Sequence, residues 1–197
     1  MKTPLTWVCS AGGPLVVAPA EIAQYWRGVE GRSPSEVQRD VADESVSDYA
    51  RACGIDAYLG TLKVGHGKAL ILADEPMQTA FIPASEGGVF VRWMWAESED
   101  GVRRALGAVP ESAWEPTLHR IEVAREGLLV FDSAWPGDAL PPPSRDEAPA
   151  SWARIELPEG TYTVDTADYE PDGSTRLILH RLRGHRSDLI DRAPLSR

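Results

Sequence analysis

The chain has 197 residues, 43% of them hydrophobic, and a formal net charge of -10. This acidity argues against nucleic acid, which needs clustered lysine and arginine to displace its counterions, and against anionic lipid for the same reason. No apolar run approaches the roughly 18 residues of a membrane span, and two cysteines, Cys9 and Cys53, are too few for a disulfide framework.

The opening Met-Lys-Thr-Pro lacks the apolar segment and small-residue cleavage site of a signal peptide, so the expected compartment is the cytoplasm, with both thiols free. The length suits one core, and the expectation is a single domain over 1–197. Residues 5–9 and 15–17 read as two strands of a first hairpin around Ser10-Ala11-Gly12-Gly13-Pro14. Pro19, Glu21, Ile22, Tyr25, Trp26 and Gly28 then describe a short amphipathic helix. Ser33-Pro34-Ser35-Glu36 has capping-box spacing for a second, exposed helix, and Ser47 or Asp48 caps a third that Gly54 ends.

The densest apolar segments lie in 62–95, which should form the centre of a sheet. Residues 68–73, Lys-Ala-Leu-Ile-Leu-Ala, are an apolar run after the opening lysine, as in a strand covered on both faces, and Gly65-His66-Gly67 is the hairpin turn before them. Asp74-Glu75-Pro76 ends that strand and residues 79–82 begin the next. After a turn at Gly87-Gly88, alternation sends Val89, Val91, Trp93 and Trp95 to one face and Phe90, Arg92 and Met94 to the other. Ser98 caps a helix with Glu99 and Asp100 in its first turn. Residues 114–123 and 128–134 read as a hairpin through Arg125-Glu126-Gly127, and 152–157, 161–166 and 175–183 as a closing meander. Residues 30–46 and 136–150, the second containing Pro141-Pro142-Pro143, are expected to be variable exposed loops, and 184–197 a loosely held tail.

The motifs that carry chemistry are faint. Gly65-His66-Gly67-Lys68 lacks the earlier glycine and the following Ser or Thr of a phosphate loop and leads into a strand. His180 and His185 straddle a strand end and would not face one metal; His66 and His119 are remote in sequence, so neither metal nor cofactor is expected. Cys9-Ser10 lacks the Gly-x-Ser-x-Gly frame of a nucleophile elbow. Glu97, Glu99 and Asp100 are explained as a helix start, and Trp93 with Trp95 as sheet core, although the same pair would serve as a ligand platform. Residues alone therefore define a globular domain rich in antiparallel sheet and no activity.

Trp7-Val8-Cys9-Ser10-Ala11-Gly12-Gly13-Pro14-Leu15, Trp26-Arg27-Gly28, Asp48-Tyr49-Ala50-Arg51-Ala52-Cys53, Leu72-Ala73-Asp74-Glu75-Pro76 and Phe131-Asp132-Ser133-Ala134 go further. In their order and spacing they resemble the immunity-protein family numbered 21 of bacterial polymorphic toxin systems, over roughly residues 7–182. The resemblance implies a cytoplasmic protein that binds and neutralises a cognate toxin domain, and no catalytic residues. A basic toxin would suit the acidic chain.

These readings set the expectations. The fold is α+β, a strongly bent antiparallel sheet or open barrel of about eight to ten strands with two to four small helices at its edges. Leu70, Leu72, Val91, Trp93, Phe131, Tyr162 and Leu179 meet in one cluster. Residues 30–56 carry seven acidic side chains against three basic, whereas 176–197 carry six arginines against two aspartates. The partner-binding face is placed on Asp40, Asp43, Glu44 and Asp48, joined by Glu97, Glu99 and Asp100. The alternative is a small enzyme or ligand-binding protein with a cleft beside Trp93 and His119. An inhibitor should present an acidic surface with an exposed aromatic, and an enzyme convergent polar groups in that cleft.

Overall fold

The computed structural model describes residues 4–34, 46–73, 75–140 and 149–184. Among the described residues ten strands divide into two open, five-stranded sheets. The first contains β1 (Leu15–Pro19), β2 (Leu59–Val64), β3 (Gly67–Leu72), β7 (Leu128–Asp132) and β8 (Trp152–Ile155), in the order β2-β3-β1-β7-β8. The second contains β4 (Gln78–Ala84), β5 (Gly87–Trp95), β6 (Glu115–Val123), β9 (Gly160–Asp172) and β10 (Thr175–Gly184), in the order β4-β5-β10-β9-β6. All pairings between these strands are antiparallel. Three short helices, α1 (Ala20–Ala23), α2 (Asp48–Cys53) and α3 (Glu99–Ala108), complete the expected α+β architecture.

Alternation along the strands creates the layers. Leu15 and Val17 of β1 and Leu70 and Leu72 of β3 face inward, where they meet Phe90, Ile121, Tyr162, Val164 and Leu182 of the second sheet. Their neighbours Val16, Ala18, Ala69 and Ile71 face outward and are covered by Ile22 and Ala23 of α1, Trp26 and Ala52 of α2. On the far side of the second sheet, Val91, Leu177 and Leu179 are covered by Val102 and Ala105 of α3. The stack is therefore helices, sheet, sheet, helix, and the unbroken apolar run of β3 is indeed covered on both faces.

This layering corrects the single-cluster expectation. Leu70, Leu72 and Tyr162 lie between the sheets, Phe131 lies under α1 and Trp26, and Val91, Trp93 and Leu179 lie under α3. The segment 62–95 is not the centre of one sheet either: β2 and β3 belong to the first sheet and β4 and β5 to the second. Arg92, buried on the inner face of β5, holds that crossing by donating to the carbonyls of Tyr58 at 3.0 Å and Glu75 at 2.7 Å.

Two expected hairpins are also absent, for one physical reason. β1 is the central strand of its sheet, with both edges taken by β3 and β7, so residues 5–9 find no place beside it. They stitch the sheets together instead: Val8 bridges Thr79 of β4, and Trp7 and Cys9 bond Ala150 just before β8. The link after β6 crosses between sheets in the same way, since β6 pairs with β9 while β7 pairs with β1 and β8. Gly127 sits there at φ 74°, where a Cβ would stand 2.3 Å from the Ile155 carbonyl oxygen. The meander reading holds for β9 and β10, but β8 belongs to the other sheet. The helix expected from the Ser33 capping box, the triple proline and the C-terminal tail from 185 lie outside the described residues.

Candidate partner-binding surface

The seven carboxylates expected to face a partner separate into four situations. Asp40, Asp43 and Glu44 lie outside the described residues. Asp48 is fully buried, which corrects its assignment to a binding face. Ser47 caps α2 by accepting from the Ala50 amide, and this places Asp48 in the first turn with its carboxylate aimed inward. There it accepts from the amides of Arg27 at 3.0 Å and Ser33 at 2.8 Å, from the Ser33 hydroxyl at 3.1 Å and from Arg51 at 2.7 Å. All its acceptor capacity is used to hold the chain around 27–33 against α2.

Glu99 is half-buried and similarly occupied. It accepts from the Leu5 amide, the Trp7 indole at 3.1 Å and Arg103 at 2.8 Å, clamping the N-terminal segment to α3. Burial works to raise its pKa, but the Arg103, Trp7 and Leu5 hydrogen bonds outweigh that and hold the carboxyl below its ordinary value. Only Glu97 and Asp100 remain exposed, on either side of the Ser98 cap, where the Gly101 amide bonds the Ser98 hydroxyl at 3.2 Å.

Trp93 and His119 do not share a cleft. Trp93 lies on the outer face of the second sheet, edge-on to Trp7 with ring centroids 5.2 Å apart and against the α3 layer. His119 reaches across the inter-sheet space, with Nδ1 2.7 Å from the Thr61 hydroxyl of β2. Deeper in that space His180 is completely buried, its Nδ1 3.1 Å from the Thr166 hydroxyl and its Nε2 without a hydrogen-bond partner. Burial first, then the neighbouring Arg92 charge, push His180 down to about 3, and burial also lowers His119, so both rings are neutral at ordinary pH. Among the described residues no three His, Cys, Asp or Glu side chains gather as a metal requires. Burial raises the Cys9 thiol, the reverse of what a thiolate nucleophile needs, and Ser10 donates to the Gly13 carbonyl.

Two of the surface depressions among the described residues bear on a partner. One is an apolar groove of about 620 Å³ between the diverging edges of β4 and β8, with Phe81, Phe90, Val130 and Ile155 in its walls. The other is a shallow, mostly polar hollow of about 540 Å³ at the end of β5, lined by Tyr58, Glu75, Gln78, Met94, Trp95 and Arg176 among others. Trp95 is 38% exposed, and the alternation that put it on the face of Val91 and Trp93 is broken by a register shift, since Trp93 pairs with Leu177 but Trp95 with the adjacent Arg176. α3 covers Val91 and Trp7 covers Trp93, whereas Trp95 ends the strand beyond the shift. The Arg176 guanidinium lies 5.3 Å from the Trp95 ring centroid and is gripped at both ends by Asp168, at 2.9 and 2.6 Å, which raises its pKa further.

Sequence alternation placed Trp95 on the face of Trp93 because it could not show the register shift between them. It also missed Arg176 as its brace. The C-terminal arginines of β10 are likewise not a free basic patch. Arg181 bonds Glu111 and Asp165 and lies 4.4 Å from the Trp114 ring centroid, and Arg183 bonds Asp165.

The sequence motifs converge elsewhere, at one buried corner of the first sheet. Trp26 donates to the Ser133 carbonyl at 2.9 Å, and Asp132 accepts from the amides of Ala11 at 2.7 Å and Ala134 at 2.9 Å. Gly28 takes φ 57° against Ala134, and Gly13 fits against Tyr49 and Ser133. Segments far apart in sequence are thus tied by side chains that only these residue types supply. The structure is an α/β/β/α stack whose motif residues serve its frame. This chain belongs to the immunity protein 21 family, whose model matches residues 6–175. No curated protein and no solved structure matches it.

Proposed function

We propose that the protein is a non-catalytic inhibitor that binds a cognate toxin domain in the cytoplasm and neutralises it. Membership of the immunity protein 21 family carries this reading. Its surface chemistry supports it: the net charge is -10, and Glu97 and Asp100 stand exposed at the start of α3. A basic toxin domain gains steering and complementarity from such a surface. The binding face includes Glu97 and Asp100, joined by the acidic residues Asp40, Asp43 and Glu44 of the variable segment, where partner discrimination by charge is easily varied. Asp48 and Glu99 are left out because their carboxylates hold the fold.

Co-expression tests the reading. Cells making the cognate toxin domain should survive when they also make this chain, and equal killing with and without it would overturn the proposal. Reversing Asp43 and Glu44, or Glu97 and Asp100, to lysine should slow association and reduce its dependence on salt, while the circular dichroism spectrum stays that of the parent. Unchanged association after both double reversals would remove these carboxylates from the face.

A further inference from the structure

We infer that the hollow around Trp95 is the anchor point on which the partner docks, and that the occupant is a basic protein surface inserting a lysine or arginine side chain beside the Trp95 ring. This rests on the inhibitor reading and gives it a location.

Tryptophan, tyrosine, arginine and methionine are the side chains enriched at the centres of protein interfaces, and here Trp95, Tyr58, Arg176 and Met94 line one depression. The anchor is also preorganised. Arg176 stacks on the indole and is itself held bidentately by Asp168, so the ring is supported in one orientation before any partner arrives. Binding to a fixed aromatic avoids the entropy of ordering a long side chain.

The rim selects the partner's charge. Glu75 lies in the lining and Glu170 of β9 is near enough to act electrostatically on Arg176; both are exposed. Arg176, the cation among the described lining residues, already carries Asp168. An acidic rim around an aromatic centre attracts a cationic side chain and rewards it with a desolvated ring face. The volume, about 540 Å³, admits a long side chain with its neighbours rather than a whole domain edge. The apolar β4–β8 groove has no such charge signature, since Arg103, Arg154 and Glu156 mix at its margins.

The test measures binding of the catalytically inactivated cognate toxin domain by surface plasmon resonance at several salt concentrations. Trp95→Ala should raise Kd at least about thirtyfold, the scale of a hot-spot truncation, chiefly through faster dissociation. Glu75→Lys with Glu170→Lys should slow association about tenfold and flatten its salt dependence. These two surface positions keep the test valid even if Trp95→Ala is poorly folded. Glu126→Lys, on the turn between β6 and β7, serves as the control and should leave both rates alone. Wild-type binding that persists unchanged in both rim and Trp95 variants overturns the anchor while leaving the inhibitor reading intact. Failure of the wild-type chain to bind the domain overturns both.

Discussion

The corner around Asp48, Trp26 and Asp132 and the hollow around Trp95 use similar side chains for opposite purposes. At the corner a tryptophan is fully buried, its indole donates to a main-chain carbonyl, and each buried carboxylate accepts from main-chain amides. At the hollow a tryptophan is 38% exposed, its cationic neighbour is half-buried in a pair with Asp168, and the surrounding carboxylates are open. The lesson is that residue type does not separate structural from binding roles in this chain. What separates them is whether another layer covers the strand or helix that bears the residue.

The sharpest way to break the comparison is at Asp48. Asp48→Ala strips the partners from the Arg27 and Ser33 amides and leaves Arg51 without its buried counter-charge, so a loss of roughly 3 to 5 kcal/mol is expected. Urea denaturation measures it. A change below about 1 kcal/mol would show that Asp48 is a surface acid after all. Trp93→Ala comes next, at roughly 2 to 3 kcal/mol, below the range for fully buried tryptophans because Trp93 is covered by Trp7 and α3 only in part. An unchanged melting temperature would return Trp93 to the exposed surface and revive its use as a ligand platform.

The buried histidine gives a third test, in pH. In the unfolded chain the His180 imidazole takes up a proton near its ordinary value of 6.5, whereas in the folded chain it does so only near 3. Between those values the unfolded state holds more protons, so the stability present above pH 6.5 is progressively lost as pH falls through the window. One such group contributes a slope of up to about 1.4 kcal/mol per pH unit. His180→Gln should therefore flatten the acid limb of a stability profile measured from pH 7 to 4, whatever its effect at neutral pH. A profile of unaltered slope would mean that His180 is hydrated or protonated in the folded state.

How much of this was legible in the sequence follows from where the information sits. Local chemistry was readable: Ser47 and Ser98 cap their helices, Gly65 turns β2 into β3, and the alternation of Phe90, Val91, Arg92 and Trp93 sends each to its stated face. The division into two sheets was not, because a short glycine-bearing link after β6 serves a hairpin and a crossing equally well, and the choice depends on which edges are already taken. The binding face suffered the same limit. Asp48 and Asp100 both follow a capping serine closely, and only packing distinguishes the carboxylate turned inward from the one left in water.

The smallest expected effect is the most discriminating. If Trp95 is an anchor held for a partner, Trp95→Ala should cost the isolated protein less than Trp93→Ala, about 1 to 2 kcal/mol, since its ring keeps a third or more of its surface in water and its loss leaves Arg176 still paired with Asp168. Thermal unfolding of the purified variant beside Trp93→Ala makes the comparison within one strand, between two identical side chains two residues apart on either side of the register shift. A small loss at Trp95 with a larger one at Trp93 places the boundary of the covering layer between them. A loss of 3 kcal/mol or more at Trp95, on the scale of a core truncation, would extend that layer over the hollow and dissolve the distinction on which the proposed docking face depends.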